Sequence, residues 1–176
     1  WFKTTTSRGG KLIGYGNSRT GQSGSYDRHV YMRNDGRLSF GVNPPGGGTT
    51  ITSAQGYNDG RWHHVVSTLG TSGMRLFVDG ALVANDATVT RGEPYTGYWR
   101  VGGDNLSNWP GIPSSSYFSG SIDDVSVYPS ALTLAQVQHH YAIGLGQTPP
   151  VAAFRSQVNA ASVSFDASET TTAAGQ

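Results

Sequence analysis

Between Trp62 and Ala84 apolar and polar residues alternate with a period of two, and Asp79-Gly80 interrupts the alternation. An Asp-Gly pair between two such runs is the signature of a type I′ turn, which needs positive φ at both central positions. It predicts an antiparallel hairpin of Met74 to Val78 and Ala81 to Ala84. A hairpin alone is barely stable in water, so it must be one part of a larger sheet. The rest of the chain supplies short strands between Gly-rich or Asn/Asp-Gly turns. They are expected at 1–5, 11–15, 28–33, 37–42, 49–53, 62–67, 97–102 and 119–128. Leu38, Phe40 and Val42 share one face of their strand, as a half-buried strand requires. One helix breaks the pattern over 133–143. Thr133 and Gln136 form a capping box, Leu134, Val137 and Tyr141 make one stripe, and Gly144 is the stop.

The predicted fold class is all-β: a two-sheet antiparallel jelly-roll sandwich of roughly a dozen strands with one short C-terminal helix. Only 13% of the 176 residues are charged and 25 are Gly, which suits a turn-rich β fold. The expected core comprises Trp1, Leu12, Leu38, Phe40, Trp62, Val66, Leu76, Val78, Trp99, Val101, Ile122 and Val125, with Trp62 the most stability-critical. Residues 1–144 read as one domain and 145–150, with Pro149-Pro150, as a stiff linker. Residues 151–176 read as two strands of a partial second β domain, too few for a core of their own. The chain starts at Trp1 with no Met, so any export signal is expected upstream.

Several function classes lose support. The formal charge is +1, with two Lys and ten scattered Arg, so no basic face exists to neutralise nucleic-acid phosphates. No apolar run approaches the ~20 residues of a membrane span. There is no Cys, which removes disulfides and thiolate chemistry. A retaining glucanase needs carboxylates at alternate positions along a strand, flanking the scissile bond. The only Glu residues are Glu93 and Glu169, in no such array, so no enzyme is expected.

His63-His64 and Asp123-Asp124 are adjacent on expected strands, so each pair diverges to opposite faces and neither acts as a metal or acid–base pair. One His63-His64 ring is expected to pack beside Trp62 and the other on the outer face. His139-His140 read as flanking residues, and Asp27-x-His29 shares a face without a nucleophile nearby. Ligand-binding candidates cluster around the long polar loop 103–117, since long loops on rigid sandwiches carry function. Trp109 within it is either a lid on the core or a platform for a sugar ring. Asp104 and Asn105 are candidates for sugar hydroxyls or calcium. Tyr98 and Arg100 share the strand face opposite Trp99 and Val101.

Five segments in order carry a resemblance: Trp62-His-His-Val-Val66, Met74-Arg-Leu-Phe-Val-Asp-Gly-Ala-Leu-Val-Ala84, Val101-Gly-Gly103, Phe118 to Tyr128, and Ala131 to Val137. Together they resemble the bacterial laminin-G-like, concanavalin A-like jelly-roll domain, and Trp1-Phe-Lys-Thr resembles a strand lying some way inside it. The resemblance implies one or two further N-terminal strands. Concanavalin-like glucanases carry an Asp five residues before a Tyr, where it helps hold a structural Ca²⁺; Asp123 stands so relative to Tyr128, which implies a possible calcium ligand. Pro150 to Phe154 with Val163 to Ser168 resembles the opening of a PKD-type immunoglobulin-like domain. Such modules imply a secreted or cell-surface bacterial protein. The expected function is a non-catalytic binding or adhesion module whose partner is a glycan, a surface protein or a neighbouring domain. The alternatives are a structural spacer in a filament or phage tail, and an accessory carbohydrate-binding domain of an enzyme.

Overall fold

The computed structural model describes residues 1–147, 155–159 and 162–166. It is an all-β sandwich with one short helix. The first layer is a five-stranded antiparallel sheet. Its strands are β2 (Gly10–Gly16), β3 (Tyr26–Met32), β4 (Arg37–Val42), β5 (Thr49–Gly56) and β10 (Tyr98–Val101), in the order β10-β2-β3-β4-β5. The facing layer has two parts. In one, β1 (Phe2–Lys3) lies between β6 (Trp62–His63) and β11 (Ser121–Ile122). In the other, β7 (Val65–Gly70), β8 (Gly73–Val78) and β9 (Ala81–Asp86) form a meander. Helix α1 spans Leu134–Gly144. Strands β12 (Arg155–Asn159) and β13 (Ser162–Asp166) pair antiparallel with each other; the rest of the expected partial domain 151–176 lies outside the described residues.

The local signals act as their chemistry requires. Asp79 and Gly80 both have positive φ (51° and 77°), and Val78 pairs with Ala81 across them. Thr133 caps α1 in a complete capping box with Gln136. The helix includes Gly144 and turns off beyond it, at Leu145 and Gly146.

The main core lies between the layers, where Leu12, Val30, Met32, Leu38, Phe40 and Val42 meet Phe2, Met74, Leu76 and Val78. A second apolar cluster sits on the far side of the five-stranded sheet. There Tyr31, Leu106 and Trp109 are buried under loop 103–117. Gly41 makes this possible, because a Cβ on it would stand 2.7 Å from the Trp109 ring. The Trp109 ring meets His29 edge-on at 4.3 Å. The sandwich therefore has a third layer, built from a loop.

Several core expectations are corrected. Trp62 is 43% exposed. The inward residues of that stretch are His63, Val65 and Leu69, because Val65 pairs with inward Val78 and His63 packs on Phe2. Register with β8 thus sets the opposite phase and turns Trp62 and Val66 outward. Both His rings are buried: His63 lies against Phe2 and Tyr57, and His64 between Trp1 and Tyr141. Trp99 and Val101 do lie on the inner face, since Tyr98 and Arg100 occupy the outer one. Yet Trp99 and Val101 are 45% and 50% exposed, because no strand of the facing layer covers them. Of the expected strand 119–128 only Ser121–Ile122 is strand, with Asp123 extending its ladder opposite Trp1; Asp124 adopts φ 49°, and Val125 beyond it is exposed rather than core. Trp1 is partly buried in its stack with His64 and Tyr141.

These placements predict an inverted ranking. Trp109→Ala should cost about 3–5 kcal/mol, as for a buried large-to-small change, and Trp62→Ala about 1 kcal/mol; equilibrium urea unfolding measures both. The Trp1–His64–Tyr141 stack should also be acid-sensitive. Burial, with the Trp1 ammonium and His140 adding to it, lowers His64 from 6.5 to about 4. The unfolded chain takes up this proton near pH 6.5 and the folded chain only near 4. Stability held above pH 6.5 is therefore lost as the pH falls from 6.5 towards 4. Melting temperatures over that range should drop less in His64→Phe, which keeps a ring in the stack but cannot titrate.

Candidate functional site

The outer face of the five-stranded sheet carries charge where its partner loops fold over it. Lys11 is fully buried, with its Nζ 3.9 Å from the Asp104 carboxylate and 5.5 Å from the Tyr26 ring centre. Burial, opposed by Asp104, lowers Lys11 to about 8. His29 beside it is also buried, and neither ring nitrogen has a hydrogen-bond partner among the described residues. Burial first and the Lys11 charge second hold His29 well below its ordinary value, so its ring is neutral in the folded protein.

Asp104 organises this end of the sandwich. Ser23 donates to it twice, from its backbone N–H at 2.9 Å and its hydroxyl at 2.7 Å. Arg100 donates at 3.1 Å. Burial alone would raise the Asp104 carboxyl, but the Ser23 and Asn105 hydrogen bonds and the Lys11 charge outweigh it and hold it low. Asn105 donates to the Ser23 carbonyl at 2.9 Å, and Arg100 to the Gly21 carbonyl at 2.5 Å. Three contacts thus pin the 17–25 loop onto the start of loop 103–117, and Arg100 ties it to β10.

The sequence-derived candidates therefore divide by task. Asp104, Asn105 and Arg100 converge, and the convergence holds a loop in place. Tyr98 lies beside them on the same face and is 49% exposed, with the Arg19 guanidinium 6.0 Å from its ring centre. Trp109 is 8% exposed and serves as the lid on the second cluster. Asp123 lies apart, next to Trp1: its carboxylate accepts from the Asp124 N–H, and its carbonyl accepts from the Trp1 amino group. Among the described residues no three His, Asp or Glu side chains gather to hold a metal ion. A calcium ion at Asp123 would draw most of its six to eight oxygens from carbonyls and water.

Two polar networks have no local sequence signature. Asp27 is buried and accepts from the Arg28 side chain (2.7 Å), the Glu93 N–H (3.0 Å), the Tyr95 hydroxyl (3.2 Å) and the Asn43 N–H (3.3 Å). Glu93 in turn accepts from the Asn43 amide at 3.1 Å. These carboxylates are engaged in tying loop 87–97 to β3 and its neighbours. His63 bridges Asp79 (2.7 Å) and Asp59 (3.0 Å). Apart from the adjacent Asp27–Arg28 and the Asp59–His63 pair four residues apart, the partners are 16 to 68 residues apart and are joined only by the fold.

The geometry assigns Asp104 to scaffolding. Asp104→Ala should strip Lys11 of its buried counter-charge and cost about 3–5 kcal/mol, with faster amide exchange across residues 17–25. Retained stability and protection would remove it from this role.

A family model described as "Concanavalin A-like lectin/glucanases superfamily" matches residues 1–138. A search of the curated proteins finds no match. A crystal structure of an S-layer domain-containing protein (residues 221-444) from Clostridium thermocellum ATCC 27405 is similar at 25% identity and a TM-score of 0.40, over 80% of this chain and 66% of that one. The chain thus spans just under two thirds of that structure's length.

Proposed function

The chain belongs to the concanavalin A-like lectin/glucanase superfamily, and from that premise we propose that it is a non-catalytic recognition module of an exported or cell-surface protein. The observation that carries this reading is the pinned loop end. A buried carboxylate fixes loop 17–25 beside an exposed aromatic ring, Tyr98, with Arg19 next to it. An exposed aromatic ring with a guanidinium beside it suits a sugar ring, whose C–H face stacks while its hydroxyls bond at the rim. Pre-ordering the loop lowers the entropy lost on binding.

Glycans come first and a protein surface second as ligand class. The engaged state of Asp27, Glu93 and Asp104 argues for binding without bond cleavage. Among the described residues no helix is long and apolar enough to cross a membrane. The architectural alternative, a spacer or assembly piece, predicts no loop-end ligand at all. Calcium enters this reading only through Asp123.

A glycan array run with calcium and with chelator tests the proposal. Binding that falls at least tenfold in Tyr98→Ala, with an unchanged melt, supports it. Binding unaffected by Tyr98→Ala and Arg19→Ala would move the site elsewhere, and absence of any glycan binder would favour the spacer. Chelator-sensitive melting that disappears in Asp123→Asn would assign the ion.

A further inference from the structure

Loop 103–117 covers the outer face of the five-stranded sheet without bringing it much charge. From Asn105 to Ser116 the loop has no ionisable side chain. What holds this stretch down is neutral. Trp109 and Leu106 sit in the apolar cluster with Tyr31. The Tyr26 hydroxyl donates to the Ser107 carbonyl at 2.8 Å and the Tyr31 hydroxyl to the Pro110 carbonyl at 2.6 Å. Asn34 exchanges hydrogen bonds with Ser114.

His29 lies beneath it, fully buried, with the Trp109 ring edge-on at 4.3 Å. Its surroundings are close-packed: a Cβ on Gly41 would stand 2.9 Å from the His29 ring carbon Cδ2, and one on Gly14 2.5 Å from the His29 Cβ. Neither ring nitrogen has a partner among the described residues. A neutral imidazole bears this at modest cost, but an imidazolium would be an unpaired buried charge beside a second cation, Lys11. Asp104 already serves Lys11, Arg100 and Ser23. Asp27, two residues along β3, is taken up by Arg28, Tyr95 and two backbone N–H groups. The other titratable groups around the ring, Tyr26 and Tyr31, are held neutral by burial, and β4 presents only Gly41.

We propose that His29 is an acid-sensitive latch for loop 103–117: the loop lies closed while the ring is neutral, and protonation of the ring releases the loop so that the imidazolium reaches water. The direction follows from linkage. In the closed form the ring stays neutral well below pH 6.5, through burial first and the Lys11 charge second. In the open form it takes its proton near the ordinary value of 6.5. Only the open form gains a proton as the pH falls, so closure is fully held above pH 6.5 and weakens below it. From pH 6 to 4.5 the ratio of open to closed should rise about tenfold per pH unit. Lys11, lowered only to about 8, is charged throughout this range, and Asp104, held below 3.8, is ionised throughout it. His64 does titrate towards the acid end, but it stands in the facing layer against Trp1 and Tyr141. Opening bares Trp109, Tyr31 and Lys11. The latch is independent of any ligand at Tyr98.

Amide exchange on the full chain tests this, with rates corrected for their intrinsic pH dependence. Protection across 106–113 should fall about tenfold per pH unit from 6 to 4.5, while β8 keeps its protection. In His29→Gln and His29→Leu, which cannot take the proton, lid protection should stay level within about twofold over the same range. A flat profile in the wild type, the same slope in a folded His29 variant, or parallel loss in β8 would overturn the proposal. A second measurement needs no variant. Followed by NMR, the His29 ring should gain its proton in step with displacement of the Trp109 indole resonance. Protonation of His29 with the Trp109 resonance unmoved would equally refute the latch.

Discussion

Both faces of the five-stranded sheet have to leave water, and its two faces achieve this by different means. The inner face meets the hydrophobic side of β7 to β9 in the ordinary manner of a sandwich. The outer face carries Lys11, His29 and Tyr31 alongside Gly14 and Gly41, and only a loop covers it. That loop stays in place because Trp109 fits over Gly41 and because the Asp104 carboxylate compensates a lysine that is entirely buried. Burying an isolated ammonium is prohibitive. The ion pair and the lid are thus one cooperative unit, and the neighbouring loop 17–25 is ordered by the same carboxylate.

Under the proposed function this arrangement links packing to recognition. Loops displayed from a sandwich bind well only if they are already ordered, and here order reaches the surface from a buried group. Asp104 holds Ser23, Arg100 holds Gly21, and the exposed Tyr98 ring shares the strand face of Arg100. Asp27 does the equivalent for loop 87–97 through Arg28, Tyr95 and Glu93. Asp27, Glu93 and Asp104 are thus all engaged in holding loops.

The facing layer is less complete. Among the described residues one edge of β7 has no strand beside it, and the segment after Ile122 leaves the ladder at Asp124. Trp99 and Val101 keep the inward phase that their alternation predicts, yet are half exposed. Their phase was legible from period-two spacing, but burial depends on whether another strand lies opposite, and spacing carries no information about that. Trp62 illustrates a different failure. Alternation establishes that Trp62, His64 and Val66 share a face, but not which face; pairing with β8 decided it, so His63 went inside, where Asp59 and Asp79 bond its ring, and His64 is covered on the outer side by Trp1 and Tyr141.

Local chemistry alone was sufficient for the Asp79-Gly80 turn, the Thr133 capping box, most strand positions and the all-β class. Those depend on φ preferences, side-chain reach over three residues and the two-residue repeat of a pleated strand, and all of them operate within a few residues. The buried Lys11–Asp104 pair, the Asp27 and His63 networks, the inward turn of Trp109 and the outward turn of Trp62 were decided by tertiary structure. Each joins groups tens of residues apart, and its energy depends on distance and dielectric, which exist only once the layers have closed.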